Sequence, residues 1–399
     1  MSTTTAALPD ASLLTRFGIG DAHCHPQDDP HDAGRRVRDL RTPCLAVMGT
    51  RAGDWGAVEE LAKAAPGKVI PCFGVHPWFA HLHALSDTQL SDPAALLDSP
   101  PNGKDAPVNH PQLLAAMSGS RSRSSGSSSS GSGSGGTSPR VQPPPAGTPA
   151  GGDGAPGPGP GPGGAGVGGS GDEGCGCGPS TSAGARGRVR APGEWLGELR
   201  RLLGEHPGAL VGEFGLDRAA VVPGTRLKPS FAHQLALTEA HLALAAELGR
   251  PVSMHCVQSY GHLQDLLRRL GPSGCPPKIM LHSYGGSVDL VKGFTRLPGG
   301  VGDRIYFSFS SVINARPDRR AGLLQRLAAV PPERLLLESD QSSADRVDEG
   351  MRAILADAAE ARGMAVEALA AAVGDNFRAF FASSLEAMAK QAQRQQQQV

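Results

Sequence analysis

The chain has 399 residues, with 38 Lys and Arg against 38 Asp and Glu. Balanced charge offers no global basic field for a polyanion, although a bound metal or a local cleft can supply one, and this length accommodates two average domains or one large α/β barrel with an addition. Seven cysteines, odd in number and without CxxC spacing, point to reduced thiols in a cytosol-like compartment, and no stretch nears the roughly 18 apolar residues of a membrane span.

The opening "MSTTTAALPDASLLTRF" has no apolar h-region, so no secretory signal is expected. Its Ser- and Thr-rich, acid-poor composition is that of a transit peptide, but strand-like sequence begins near Phe17 and leaves little to cleave, so the expected location is cytoplasmic, with nuclear or organellar sites left open. Apolar runs then alternate with amphipathic ones. Strands are predicted at "FGIGDAHCH" (17 to 25), "PCLAVMG" (43 to 49) and "VIPCFGVHP" (69 to 77). After the third, from about Ser99 to Arg190, Gly, Ser and Pro dominate and large apolar residues almost vanish. Such a segment cannot offset its ordering entropy and is expected to be a disordered insert in a βα-loop; Cys175 and Cys177 in "GCGCG" lie inside it.

Beyond the insert, strands are predicted at "ALVGEFGLD" (209 to 217), "PVSMHCV" (251 to 257), "KIMLHSYG" (278 to 285), "IYFSFSSV" (305 to 312) and "RLLLESD" (334 to 340). Between them lie helical patterns such as "FAHQLALTEAHLALAAELG". Eight nearly continuous apolar strands in a βα repeat predict a (β/α)8 TIM barrel of residues 1–98 and 191–389, interrupted by the insert 99–190 and followed by a disordered Gln-rich tail, 390–399.

Chemistry in such barrels sits at the C-terminal strand ends. Those ends carry His23 and His25, His76, Glu213, His255, His282 and Asp340. Singly, each has an ordinary explanation as a polar core residue or a helix cap. At equivalent ends of six strands they point instead to a divalent-metal site. In "DAHCH" the two histidines stand two positions apart and face one side of a strand, so they would hold one metal with hard oxygens from Glu213 and Asp340. His255 and His282 would approach a second metal that Glu213 could bridge. Imidazole mixed with carboxylate suits Zn²⁺, Mn²⁺ or Mg²⁺. Two such ions can polarise a phosphoryl group and activate a water, which Asp340 would orient or deprotonate.

The ordered set "DAHCH", "FGVHPW", "VGEFGLD", "PVSMHC", "IMLHSYGGS", "LLLESD" and "GDNFRAFF" resembles the motifs of the TatD family of metal-dependent deoxyribonucleases, across nearly the whole chain outside the insert. The resemblance implies an Mg²⁺- or Mn²⁺-dependent hydrolase, with Zn²⁺ as the alternative, acting on DNA ends and most simply as a 3'-5' exonuclease. It also implies a first metal on His23, His25 and Asp340, a second on His255 and His282, Glu213 between them, and His76 facing the substrate phosphate. No membrane and no obligate protein partner are implied. Two stretches depart from the family: "HCVQSYG" follows His255 where an arginine is usual, and "QSSADR" follows Asp340 in place of an Ala-Pro-aromatic run. Arg51 or Arg218 could supply the phosphate contact. The alternatives are a hydrolase of ester, amide or small phosphodiester bonds on the same site, and a protein that keeps the site but serves as a binding partner.

Overall fold

The computed structural model describes residues 7–29, 31, 33–98, 106–107, 110–119 and 187–397. Eight parallel strands lie in chain order in one sheet: β1 (Asp21–Cys24), β2 (Leu45–Met48), β3 (Val69–Phe73), β4 (Leu210–Asp217), β5 (Val252–Val257), β6 (Ile279–Leu281), β7 (Ile305–Phe309) and β8 (Leu335–Leu337). The first and last are drawn together just beyond their ends, where the Asp340 amide donates to the His23 carbonyl at 3.0 Å and the His25 amide to the Gln341 carbonyl at 2.8 Å. The eight predicted strands are all present. The first is shorter than expected at its start: Phe17 ends a helix, Ser12–Phe17, closed by Gly18 at φ 66°. The run "SLLTRF" is as compatible with a buried helical turn as with a strand, and the left-handed glycine decides it.

Side-chain alternation along the strands sets up the site. Ala22, Ala46, Ile70, Cys72, Leu210, Met280, Tyr306 and Leu336 form one buried cluster sealed by Phe377, Phe380 and Phe381, the floor of the barrel. Two residues further along the same strands stand His282 after Met280, Ser308 after Tyr306, and Glu338 after Leu336. The period of two thus carries apolar residues into the floor and polar ones to the C-terminal mouth of the same interior. A second, larger core packs the outer strand faces against the helices.

The loop after β3 carries a satellite core of Phe79, Leu82, Leu96, Leu97, Leu113, Met117 and Val189 with Val222 and Leu227 from the loop after β4. Leu97–Asp98 pairs antiparallel with Lys228–Pro229. This corrects the limits of the predicted insert. Pro111–Met117 is a helix with Leu113 and Met117 buried, and the Val189 amide donates to the Met117 carbonyl at 2.8 Å, because these few apolar residues do have a core to enter. Residues 120–186, which hold Cys175 and Cys177, lie outside the described residues. The tail also differs from expectation: a helix runs Ala382–Gln397, since Ala, Gln, Lys, Glu and Arg are all good helix formers.

Candidate metal centre

Glu213, on β4, is fully buried at the centre of the mouth. Its Oε2 lies 3.4 Å from His23 Nε2 and 3.5 Å from His25 Nε2, and its Oε1 lies 2.7 Å from His282 Nε2, 3.1 Å from His255 Nδ1 and 3.3 Å from His76 Nε2. Asp340 Oδ1 stands 3.5 Å from His25 Nε2 and 3.8 Å from His23 Nε2. All seven residues named from the sequence therefore meet in one buried site. Neither oxygen of Glu213 accepts a hydrogen bond. A buried carboxylate with both oxygens facing a cluster of imidazole nitrogens, none of them aligned to hydrogen-bond it, fits a divalent cation better than it fits a hydrogen-bonded core. Among the described residues three sets of ligand atoms lie close enough together to share an ion: His23, His25 and Glu213; His76, Glu213 and His255; and His23, His282 and Glu338.

The outer nitrogens of these rings are fixed by the fold. Nδ1 of His23 is 2.9 Å from Ser253 Oγ, and Nδ1 of His25 is 3.1 Å from the Met48 carbonyl. Two carboxylates absent from the predicted set face the other pair: Asp217 bonds the outer nitrogen of His255, while Glu338 stands near that of His282 without hydrogen-bonding it. Asp217, two positions on from Gly215 at the end of β4, places Oδ2 3.2 Å from His255 Nε2 and accepts from Trp78 Nε1 at 2.9 Å. Glu338 places Oε1 3.7 Å from His282 Nδ1 and accepts from the Ser283 amide at 2.7 Å, the Ser283 hydroxyl at 2.6 Å and the Ser308 hydroxyl. Such partners set which ring nitrogen faces inward. Alternation along the strands was the available signal, since Glu338 shares the inward side with Asp340, and Asp217 with Glu213.

Charge in the site follows from burial working against these contacts. Burial alone would raise the Glu213 carboxyl, but the imidazoles of His76, His282 and His23 outweigh it and hold the group well below the usual carboxylate range. Burial likewise opposes protonation of His25, yet Asp340 and Glu213 lift it to about 9. His76 goes the other way, to about 4, because burial dominates there. Its Nδ1 accepts from the Trp78 amide at 3.1 Å, so the neutral ring carries its proton on Nε2, the nitrogen directed at the site.

Arg51 and Arg218 are both held by rings. Arg51 lies over Phe79 at 4.5 Å and Arg218 over Phe231 at 4.3 Å, and Arg218 also meets His262 Nε2 at 3.1 Å. Among the described residues no helix is long and apolar enough to cross a membrane.

Residues 20–102 and 174–382 match a family model described as TatD related DNase. Over 91% of its length the chain is 29% identical to the Cut9-interacting protein scn1 of Schizosaccharomyces pombe, covering 98% of that protein. A shorter match, 35% identical over 36% of this chain and 49% of the relative, is to the 3'-5' ssDNA/RNA exonuclease TatD of Edwardsiella piscicida. In fold the chain is similar to the crystal structure of YJJV, a TatD homologue of Escherichia coli, with a TM-score of 0.52, 18% identity, and coverage of 91% of this chain and 98% of that one.

Proposed function

The chain belongs to the TatD family of metal-dependent hydrolases, and from that premise we propose that it is a phosphodiesterase acting on DNA ends, most simply as a 3'-5' exonuclease. The observation that carries this reading is the Glu213 carboxylate, buried among five imidazoles with neither oxygen accepting a hydrogen bond. His23, His25 and Asp340 would hold one divalent ion and His255 and His282 a second, with Glu213 shared between them. Mg²⁺ or Mn²⁺ suits the carboxylate share of the set, with Zn²⁺ as the alternative. When bound, such ions polarise the phosphoryl oxygens and lower the pKa of an attacking water.

The side chains supply the rest. Asp340, buried beside His23 and His25, orients the water and accepts its proton. His76 takes a different role from the other histidines: with Nδ1 occupied by the Trp78 amide and the proton on Nε2, its free valence is a donor, suited to a phosphate oxygen rather than to a cation. Asp217, bonded to the outer nitrogen of His255, keeps the inward one unprotonated for metal, and the Glu338 carboxylate favours a proton on the outer side of His282.

The test is a metal-stripped preparation given back Mg²⁺, Mn²⁺ or Zn²⁺ and assayed on single-stranded DNA, duplex DNA, RNA and a panel of esters and amides. Release of mononucleotides from DNA ends is expected, and hydrolysis confined to the esters or amides would reject the reading. A second reading, a partner-binding protein that keeps the site, has one observation in its favour: the relative matched over 98% of its length is named for its interaction with Cut9. Absence of turnover on every substrate together with tight metal binding would favour it.

A further inference from the structure

Ser283 follows His282 just beyond β6, with φ at 40°. Among the described residues only Gln258 and Asp340 share a positive φ without being glycine, at 52° and 50°, and the three stand just beyond β5, β6 and β8 at the mouth of the barrel. A left-handed backbone is disfavoured for any residue with a Cβ and persists only where the surroundings hold it.

At Ser283 every polar atom is held. The amide donates to Glu338 Oε1 at 2.7 Å and the hydroxyl to the same oxygen at 2.6 Å. The carbonyl accepts from Asn314 Nδ2 at 3.3 Å. The hydroxyl also lies 3.1 Å from Ser310 Oγ and 3.4 Å from Asp340 Oδ2. These supports are buried and tied to one another: Glu338 accepts from the Ser308 hydroxyl as well, and Asn314 Oδ1 accepts the Ser310 amide at 3.0 Å.

Two carboxylates with different duties meet at this one hydroxyl. Glu338 stands behind His282, 3.7 Å from Nδ1. Asp340 turns Oδ1 to His25 and His23, at 3.5 and 3.8 Å, and Oδ2 to Ser283. Glycine would suit the backbone better here, so a serine kept against its conformational preference points to a need for the side chain. We propose that Ser283 is a positioning residue, whose left-handed backbone places its hydroxyl where it orients Glu338 behind one half of the metal centre and Asp340 within the other. The assignment rests on the metal-centre reading above and not on the choice of substrate.

The experiment compares full-length wild type with Ser283→Ala, Ser283→Gly and Ser283→Thr in three measurements: melting of the metal-stripped protein, its affinity for Mn²⁺ by titration calorimetry, and kcat and KM for dinucleotide hydrolysis at saturating Mn²⁺. Stability should follow the backbone. The Gly variant melts above the Ala variant, and the Thr variant, β-branched and least tolerant of a positive φ, melts below wild type. Metal affinity and turnover should follow the hydroxyl instead. The Kd for Mn²⁺ rises about 10- to 100-fold in both the Ala and the Gly variant, kcat falls while KM stays near wild type, and the Thr variant lies closer to wild type than either. Wild-type Kd and kcat in the Ala and Gly variants overturn the proposal. So does a metal affinity that tracks melting temperature, with Gly better than Ala and Thr worst, because Ser283 would then only brace the fold. Should the Thr variant fail to fold, the Ala and Gly pair decides on the same terms. Weakened Mn²⁺ binding in these variants of a protein that hydrolyses no dinucleotide supports the positioning role and refutes the phosphodiesterase, whereas turnover with Kd and kcat unaltered refutes only the positioning role.

Discussion

Asp217 holds the outer nitrogen of His255 at 3.2 Å while the inner nitrogen of the same ring lies 3.1 Å from Glu213. The ring is therefore a bridge between one carboxylate that orients it and another beside which a cation would sit. Asp217→Asn keeps the shape but lets the amide present either a donor or an acceptor to Nε2, so the inward tautomer is no longer fixed. Metal affinity should fall about 10- to 100-fold, read as a rise in the Mn²⁺ concentration giving half-maximal turnover, with much of the rate recovered at saturating metal. A variant with the wild-type metal requirement would show that Asp217 only braces Trp78.

Glu213 and Asp340 are expected to act as a unit with the histidines. Glu213→Gln and Asp340→Asn should each abolish metal-dependent hydrolysis, and their combination should cost little more than either alone. Circular dichroism and melting of the metal-free proteins should stay close to wild type, because the floor of the barrel lies a layer below both residues. Normal turnover by either purified variant removes the assignment.

The histidines of the site were legible in the sequence because residue type and place reinforce one another: His23, His25, His255 and His282 each end or follow an apolar run, and the period of two aims them inward. Their supports were not. Asp217 and Glu338 lie at the same strand ends but read equally as turn or capping residues, and only the folded neighbours show which ring each one faces. His83 and His241 were passed over for a related reason. They sit off the strand ends and draw their chemistry from packing that no local pattern encodes.

Those two histidines make stability depend on pH. His83 donates from Nδ1 to the Phe79 carbonyl at 3.0 Å and accepts the Ala52 amide on Nε2 at 3.2 Å, so a second proton would break a bond. His241 is stacked between Trp195 and Phe214, with ring centroids at 5.4 and 4.8 Å. Burial pushes His83 to about 3 and His241 to about 4. Both lie below the ordinary value of about 6.5, so the unfolded chain takes up protons first. Each group's contribution is intact above about pH 6.5 and is lost as pH falls toward the folded value, at about 1.4 kcal/mol per pH unit. His241→Phe should remove one such proton. Urea unfolding between pH 7 and pH 4.5 should then show the stability difference between wild type and variant shrinking or reversing by that slope, and a difference independent of pH would mean that His241 does not titrate on unfolding.

The last prediction concerns the long interruption after β3. Its Gly, Ser and Pro composition argues for a dispensable stretch, but the limits read from sequence, 99–190, take in residues that the fold uses. Leu113, Met117 and Val189 are 6%, 1% and 2% exposed in the satellite core, and the Met117 carbonyl and Val189 amide are directly bonded. The chain thus leaves and re-enters at neighbouring points, and a short Gly-Ser link from Gly119 to Gly187 can close the gap at low entropic cost. Deleting 120–186 should leave melting temperature and metal-dependent turnover near wild type. Deleting 99–190 should instead empty part of the satellite core, at about 2–5 kcal/mol for each large apolar side chain removed, and lower the melting temperature by many degrees. Because that core also includes Val222 and Leu227 of the loop that follows Asp217, turnover should fall with it. Equal stability of the two deletions would show that the satellite core contributes nothing. A rise in KM confined to nucleic-acid substrates in the shorter deletion would assign residues 120–186 a part in binding, through arginines such as Arg121, Arg123 and Arg186.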